Sequence, residues 1–142
     1  MTAPELLTER LLLRPYTMDD AAEMHRVLYG DADVMKFLPG NTSRPIEAAE
    51  RSMRYFINHW DEHGYGAWGV VHRADNALIG QCGLNRLPDG AVEVFYALAV
   101  PYWGQGIATE AARAAVKYGF ETVKLPQIIA LAYSENTASR HV

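Results

Sequence analysis

The chain has 142 residues, with 13 basic and 17 acidic side chains and a formal charge of −4. That length suits a single domain, here residues 1–142, with a real buried core, and the charge argues against nucleic acid as a partner. With no run of 18 apolar residues, no basic-then-apolar leader and one cysteine, Cys82, the sequence predicts no membrane span, signal peptide or intrachain disulfide, and a cytoplasmic setting.

In chain order, RLLLRPY (residues 10–16) reads as a short strand stopped by Pro15. Thr17 and Asp20 mark a helix start, followed by Ala21, Met24 and Leu28 at helical spacing and by Gly30. GDADVMKFLPGNTS reads as a loop with Phe37 and Leu38 as apolar anchors. Ser43, Pro45 and Glu47 announce a second helix whose buried stripe is Ile46, Ala49, Met53, Phe56, Ile57 and Trp60, closed by Gly64. The period then changes to that of strands. YGAWGVVH, ALIGQCGLN and AVEVFYALAV are separated by RADN and RLPDG, both turn-forming, which predicts an antiparallel meander. From Gly106 the period is helical again, with Ala108, Ala111, Ala112, Ala115, Val116, Gly119 and Phe120 on one face. QIIALAY is a last short strand, and Asn136 is a good N-cap after it. The order β-α-α-β-β-β-α-β, with a helical crossover before the last strand, predicts an α+β (mixed α/β) fold with one parallel pair in its sheet.

PYWGQGIATE (residues 101–110) lies at the junction between the meander and the alanine-rich helix. A triphosphate loop requires a Lys after its second glycine, and none is there. A dinucleotide fingerprint requires Gly or Ala where Thr109 stands, inside a βαβ unit. What remains is a helix N-terminus with orphan N–H groups around Gln105 to Thr109, opened by Gly104 and Gly106 and kept small by Ala108. Such an end attracts an anion, although two glycines also suit plain close packing of helix on sheet. Cys82, inside a strand, reads as a small buried hydrophobe rather than a nucleophile.

WGQGIA resembles the acyl-CoA loop, R/Q-x-x-G-x-G/A, of the GNAT N-acyltransferases, with Trp103 in the first position. PYWGQGIATEA is similar to the RimJ/RimL-like branch, which acetylates ribosomal-protein N-termini. TERLLLRPYTMDDA, GYGAWGVV, LIGQCGL and ENTAS match that branch in the expected order, so the likeness covers almost the whole chain. The resemblance implies the GNAT fold, acetyl-CoA as cosubstrate without a metal, and direct transfer in a ternary complex. The implied acceptor is a primary amine, either a small molecule or a protein N-terminus.

By the same resemblance, the pyrophosphate sits on the amides of Gln105, Gly106, Ile107, Ala108 and Thr109. The pantetheine arm pairs with the backbone of Leu98, Ala99 and Val100, and Asn136 holds one of its amides. Glu93, a carboxylate within an apolar strand, is the candidate general base, burial raising its pKa; a plain surface position beside Ala91 and Phe95 is the alternative. Ser139, in N-x-x-S, is the candidate donor to the leaving thiolate. Phe37, Leu38, Tyr65, Trp68 and Tyr96 are candidate acceptor-pocket residues or simply core. Family members continue after N-x-x-S with the rest of a helix and two strands, whereas this chain ends at Val142. On that pattern it is C-terminally short, and the strand at 127–133 would offer an edge for a homodimer. A non-catalytic acyl-CoA-binding or regulatory module is the alternative to an enzyme.

Overall fold

The computed structural model describes residues 3–36 and 42–130. Its sheet has strand order β1 to β6 as in the sequence: β1 Leu6–Leu7, β2 Leu11–Arg14, β3 Ala67–His72, β4 Ala77–Arg86, β5 Val92–Leu98 and β6 Ile129–Ala130. All neighbours are antiparallel except β5 and β6, which run parallel with Glu93 opposite Ile129. The mixed sheet with one parallel pair therefore stands as the sequence pattern predicts. β1 was not foreseen, because two residues are too few to show a period.

Helices cover both faces. On one side lie α1 (Ala21–Met24), α2 (Ala32–Met35) and α3 (Ile46–His63); on the other lies α4 (Ile107–Glu121). Each face has its own core. Leu11, Leu13, Trp68, Val70, Ile79, Leu84 and Leu98 pack on Ile107, Ala111 and Ala115 of α4. Met24, Leu28, Met35, Met53, Phe56 and Ala97 fill the opposite side. A bulge in β4 lets the strand serve both: Val70 lies opposite Gly80 and Val71 opposite Leu78, so Ile79 is the extra residue.

Local chemistry accounts for the element ends. The Thr17 N–H donates to Asp20 Oδ2 at 2.9 Å, as the spacing predicts. Beyond α1 the turn widens over His25–Tyr29, where the Gly30 N–H reaches the His25 carbonyl at 2.7 Å. Residues 32–35 form a helix rather than the expected loop, because Asp31 accepts from the Asp33 N–H at 2.9 Å and supplies an N-cap. Pro45, not Ser43, stands at the N-cap of α3. Gly64 ends α3, donating to the Trp60 carbonyl at 2.9 Å.

Two apolar stripes differ from expectation at their ends. Ile46 is 37% exposed and Phe120 is 43% exposed, while His59 and Ile107 are buried. Ile46 lies in the first turn of α3 and Phe120 in the last turn of α4, so both exposed residues sit at helix ends. Cys82 is fully buried, and burial pushes its thiol up to about 12, so it is a core residue as expected.

Candidate active site

The two glycines of PYWGQGIATE have φ of +74° and +77°. A Cβ on Gly104 would meet nothing within 4 Å, so the left-handed backbone, not crowding, is what calls for glycine there. Gly106 is the N-cap of α4 and has no side chain to cap with. The N–H groups of Ile107, Ala108 and Thr109 form the first turn and have no intrahelical acceptor. A 15-residue helix thus begins with uncapped donors at the positive end of its dipole.

The loop is anchored from both sides. A short turn, Val100–Tyr102, leads into it, and the Gln105 side chain donates to the Pro101 carbonyl at 2.9 Å. From the β1–β2 hairpin, Arg10 Nη1 donates to the Gln105 carbonyl at 2.8 Å and Arg10 Nε to Glu110 at 2.7 Å.

β5 runs from the candidate base to this loop. The Ala99 N–H donates to the Ile79 carbonyl at 2.8 Å, and the Ala99 carbonyl accepts from the Tyr102 N–H at 3.0 Å. Of the three backbone positions assigned to the pantetheine arm, Ala99 is therefore engaged through both of its groups, and the Val100 carbonyl accepts from the Trp103 N–H at 3.0 Å. Alternation along the strand turns the backbone groups of Leu98 the other way, away from β4. The Leu98 carbonyl accepts from Trp103 Nε1 at 2.8 Å, so the indole in the first motif position braces the strand end.

Glu93 stands at the start of β5, across from Asn85 of β4 and Ile129 of β6. It shares a strand face with Phe95, which stacks on Phe56 of α3 with centroids 5.7 Å apart. Glu93 is half-buried, and this burial raises its carboxyl above the ordinary value. Beside it the Tyr55 hydroxyl donates to Asn85 Oδ1 at 2.5 Å. The Tyr55 hydroxyl is pushed up by burial first and by the charges of Glu93 and Glu62 after it. Sequence reasoning missed Tyr55 and Asn85; only the strand register places Asn85 opposite Glu93.

His59, one turn after Tyr55, is buried between two backbone groups. Its Nε2 faces the Arg86 N–H at 3.1 Å and so accepts, which leaves Nδ1 to donate to the Tyr65 carbonyl at 2.7 Å. Burial holds this imidazole below its ordinary pKa.

The other candidates divide. Trp68 is fully buried, its Nε1 donating to the Pro4 carbonyl at 2.8 Å, and Tyr65 is also buried. Both belong to the core, and Tyr96 is half-buried. Phe37, Leu38, Asn136 and Ser139 lie outside the described residues, as do the last three residues of the strand expected at 127–133. Among the described residues, no group of three His, Cys, Asp or Glu side chains could hold a metal, and no helix is long and apolar enough to cross a membrane.

This arrangement agrees with comparisons to known proteins. The family model described as "Acetyltransferase (GNAT) domain" matches residues 10–142. An uncharacterized N-acetyltransferase, p20, of Bacillus licheniformis is 31% identical over 94% of this chain and 76% of its own length. The crystal structure of a GNAT-family acetyltransferase from Bacillus anthracis superposes with a TM-score of 0.82 at 28% identity, covering 97% of this chain and 79% of the other. The fold is also that of RimL, the ribosomal L7/L12 α-N-protein acetyltransferase, solved in complex with coenzyme A. That likeness has a TM-score of 0.81 at 17% identity, over 96% of this chain and 78% of RimL. The chain belongs to the GNAT acetyltransferase family and is an acetyl-transferring enzyme with the GNAT fold, a fold that uses acetyl-CoA.

Proposed function

We propose that the protein moves the acetyl group of acetyl-CoA to a primary amine, in a ternary complex, with Glu93 as general base. The observation that carries this reading is the uncapped first turn of α4 behind left-handed Gly106, in the segment that follows the strand bearing Glu93. The pyrophosphate rests on the amides of Gln105 to Thr109, where the helix dipole and free N–H groups favour negative charge. The pantetheine arm extends along the open side of β5, meeting the backbone at Leu98 and Val100, whose carbonyls also accept from Trp103 Nε1 and the Trp103 N–H. The Ala99 N–H, donated to Ile79, takes no part in this pairing.

Chemistry requires the amine in its neutral form. Glu93, made more basic by burial, takes the proton directly or through water. The neutral amine attacks the thioester carbon. A strand N–H at Leu98 then stabilises the developing oxyanion, because a fixed donor needs no reorganisation. Collapse expels the CoA thiolate, and the proton the nitrogen loses passes to the sulfur through the Ser139 hydroxyl, which takes up one proton as it gives one, while Asn136 holds an amide of the arm; the resemblance assigns these two residues their roles. Cys82 takes no part, since it is buried and its thiol is raised to about 12.

Calorimetry with acetyl-CoA, followed by CoA release against a panel of small amines and N-terminal peptides, tests the reading. Binding with turnover on some acceptor supports it. Binding without turnover on any acceptor favours a CoA-binding module, and no binding overturns the loop assignment.

A further inference from the structure

We propose that Arg10 is a positioning residue of the donor site, acting through a clamp with Thr8 and Glu110 that sets the direction and charge of the loop at the start of α4. The inference rests on reading Gln105–Thr109 as the pyrophosphate loop. It gives a role to TERLLLR, a stretch the proposed chemistry leaves unused.

The hairpin between β1 and β2 closes against the first turn of α4. The Glu110 carboxylate receives three hydrogen bonds there: from the Thr8 hydroxyl at 2.5 Å, from the Arg10 N–H at 2.8 Å and from Arg10 Nε at 2.7 Å. The hairpin is itself fixed. The Thr8 N–H donates to the Leu11 carbonyl at 2.9 Å, and the Arg73 guanidinium donates to the Thr8 and Glu9 carbonyls at 2.9 and 3.1 Å.

Two consequences concern the loop rather than the hairpin. An acidic residue in the first turn suits a helix dipole, but at an end that receives a pyrophosphate it adds repulsion. Arg10 pairs with that carboxylate and cancels the repulsion. Partial burial works against ionisation of Glu110, yet the bonds from Thr8 and Arg10 and the Arg10 charge outweigh it. The carboxyl is held below the usual range, ionised and turned aside. Second, Arg10 Nη1 fixes the Gln105 carbonyl toward itself at 2.8 Å. In a trans peptide the N–H points opposite to the C=O, so the Gly106 N–H is turned away from Arg10 and outward from the clamp. Arg10 lies close enough that a Cβ on Gly106 would stand 3.5 Å from Nη2.

Calorimetry with CoA, and with pantetheine measured by its displacement of CoA, separates this role from simple docking of a hairpin, because pantetheine has no pyrophosphate. Arg10→Gln is expected to weaken CoA binding roughly tenfold or more while moving pantetheine less than about twofold. Arg10→Gln with Glu110→Gln should recover part of the loss, since the carboxylate left unpaired is then gone. A folded Arg10→Gln protein that binds CoA within twofold of the parent overturns the proposal. So does an equal loss for both ligands, which is what a purely structural clamp produces. Should Arg10→Gln not fold, Arg10→Lys retains charge without the fork that spans Glu110 and Gln105, and is read by the same two ratios. If the parent chain itself binds no CoA, the loop assignment has failed rather than the clamp.

Discussion

The two ends of β5 are built differently. At its C-terminal end the donor loop offers main-chain N–H groups, and its side chains serve mainly to hold the backbone: Gln105 on Pro101, Arg10 on Gln105, Trp103 on Leu98. At its N-terminal end the candidate acceptor side rests on side chains brought from three elements: Glu93 of β5, Asn85 of β4 and Tyr55 of α3. A site made of backbone tolerates substitution wherever φ and ψ survive. A site made of side chains depends on strand register and helix docking as well. The first should therefore resist truncation of the loop's own side chains and fail on a change to its backbone or to Arg10, which holds that backbone, and the second should depend on its side chains directly.

The largest effect expected comes from Gly106→Glu. It places a non-glycine residue at φ +77° and a carboxylate beside both Arg10 and the pyrophosphate position. Acetyl-CoA affinity measured by calorimetry should fall by roughly 100-fold or more. Normal affinity would break the contrast at its donor end.

Glu93→Gln should lower kcat/KM by about 100-fold, within the usual range for losing a general base, with acetyl-CoA affinity unchanged. The pH profile adds a sign. The base works when ionised, so activity falls as pH drops through its pKa. Burial raises that pKa, so the acidic limb should stand above the ordinary carboxylate range and vanish in the variant. Loss of CoA binding instead would show that the two ends are not separate.

His59→Phe removes the partners of two buried backbone groups, the Arg86 N–H and the Tyr65 carbonyl. Stability in urea should drop by roughly 2 kcal/mol or more, and Tyr55 one turn earlier should lose its setting. The parent should also lose stability as pH falls below about 6.5, because the unfolded imidazole takes up a proton there that the buried one resists. That pH dependence should be absent in the variant.

The smallest effect expected is for Gln105→Ala. Its side chain makes an exposed hydrogen bond to Pro101, and its share of the pyrophosphate site is an amide, so affinity should change by less than about threefold. A tenfold loss would mean that the loop's own side chains, and not only its amides, carry the donor end.

The same contrast governs what the sequence revealed. Strand and helix periods, the RADN and RLPDG turns and the two glycines are local, and they led to the meander, the parallel crossover strand and the donor loop. The half-buried place of Glu93 in β5 was legible because a carboxylate in an apolar strand is conspicuous. Tyr55 and Asn85 were not, since their meeting depends on β4 and β5 pairing in one register and α3 docking over them. Arg10 and Glu110 are 100 residues apart, and nothing in either neighbourhood points to the other. Trp68 and Tyr65 went the other way, as aromatic residues that suggested a pocket and proved to be core. The short helix at Ala32–Met35 was hidden by its loop-like composition, although Asp31 was there to cap it.

Because Glu93 is the second residue of β5 and Leu98 the last, the strand also works as a ruler. Five steps at about 3.3 Å each set roughly 17 Å between the candidate base and the point where the chain turns into the loop. The proposed sites of proton abstraction and phosphate anchoring are thus spaced by covalent geometry, not by packing that could drift. A single residue inserted between Phe95 and Ala97 would lengthen that span by one step. It would also turn Glu93 to the α4 side of the sheet if the strand end kept its place, separating the base from the donor while leaving each locally intact.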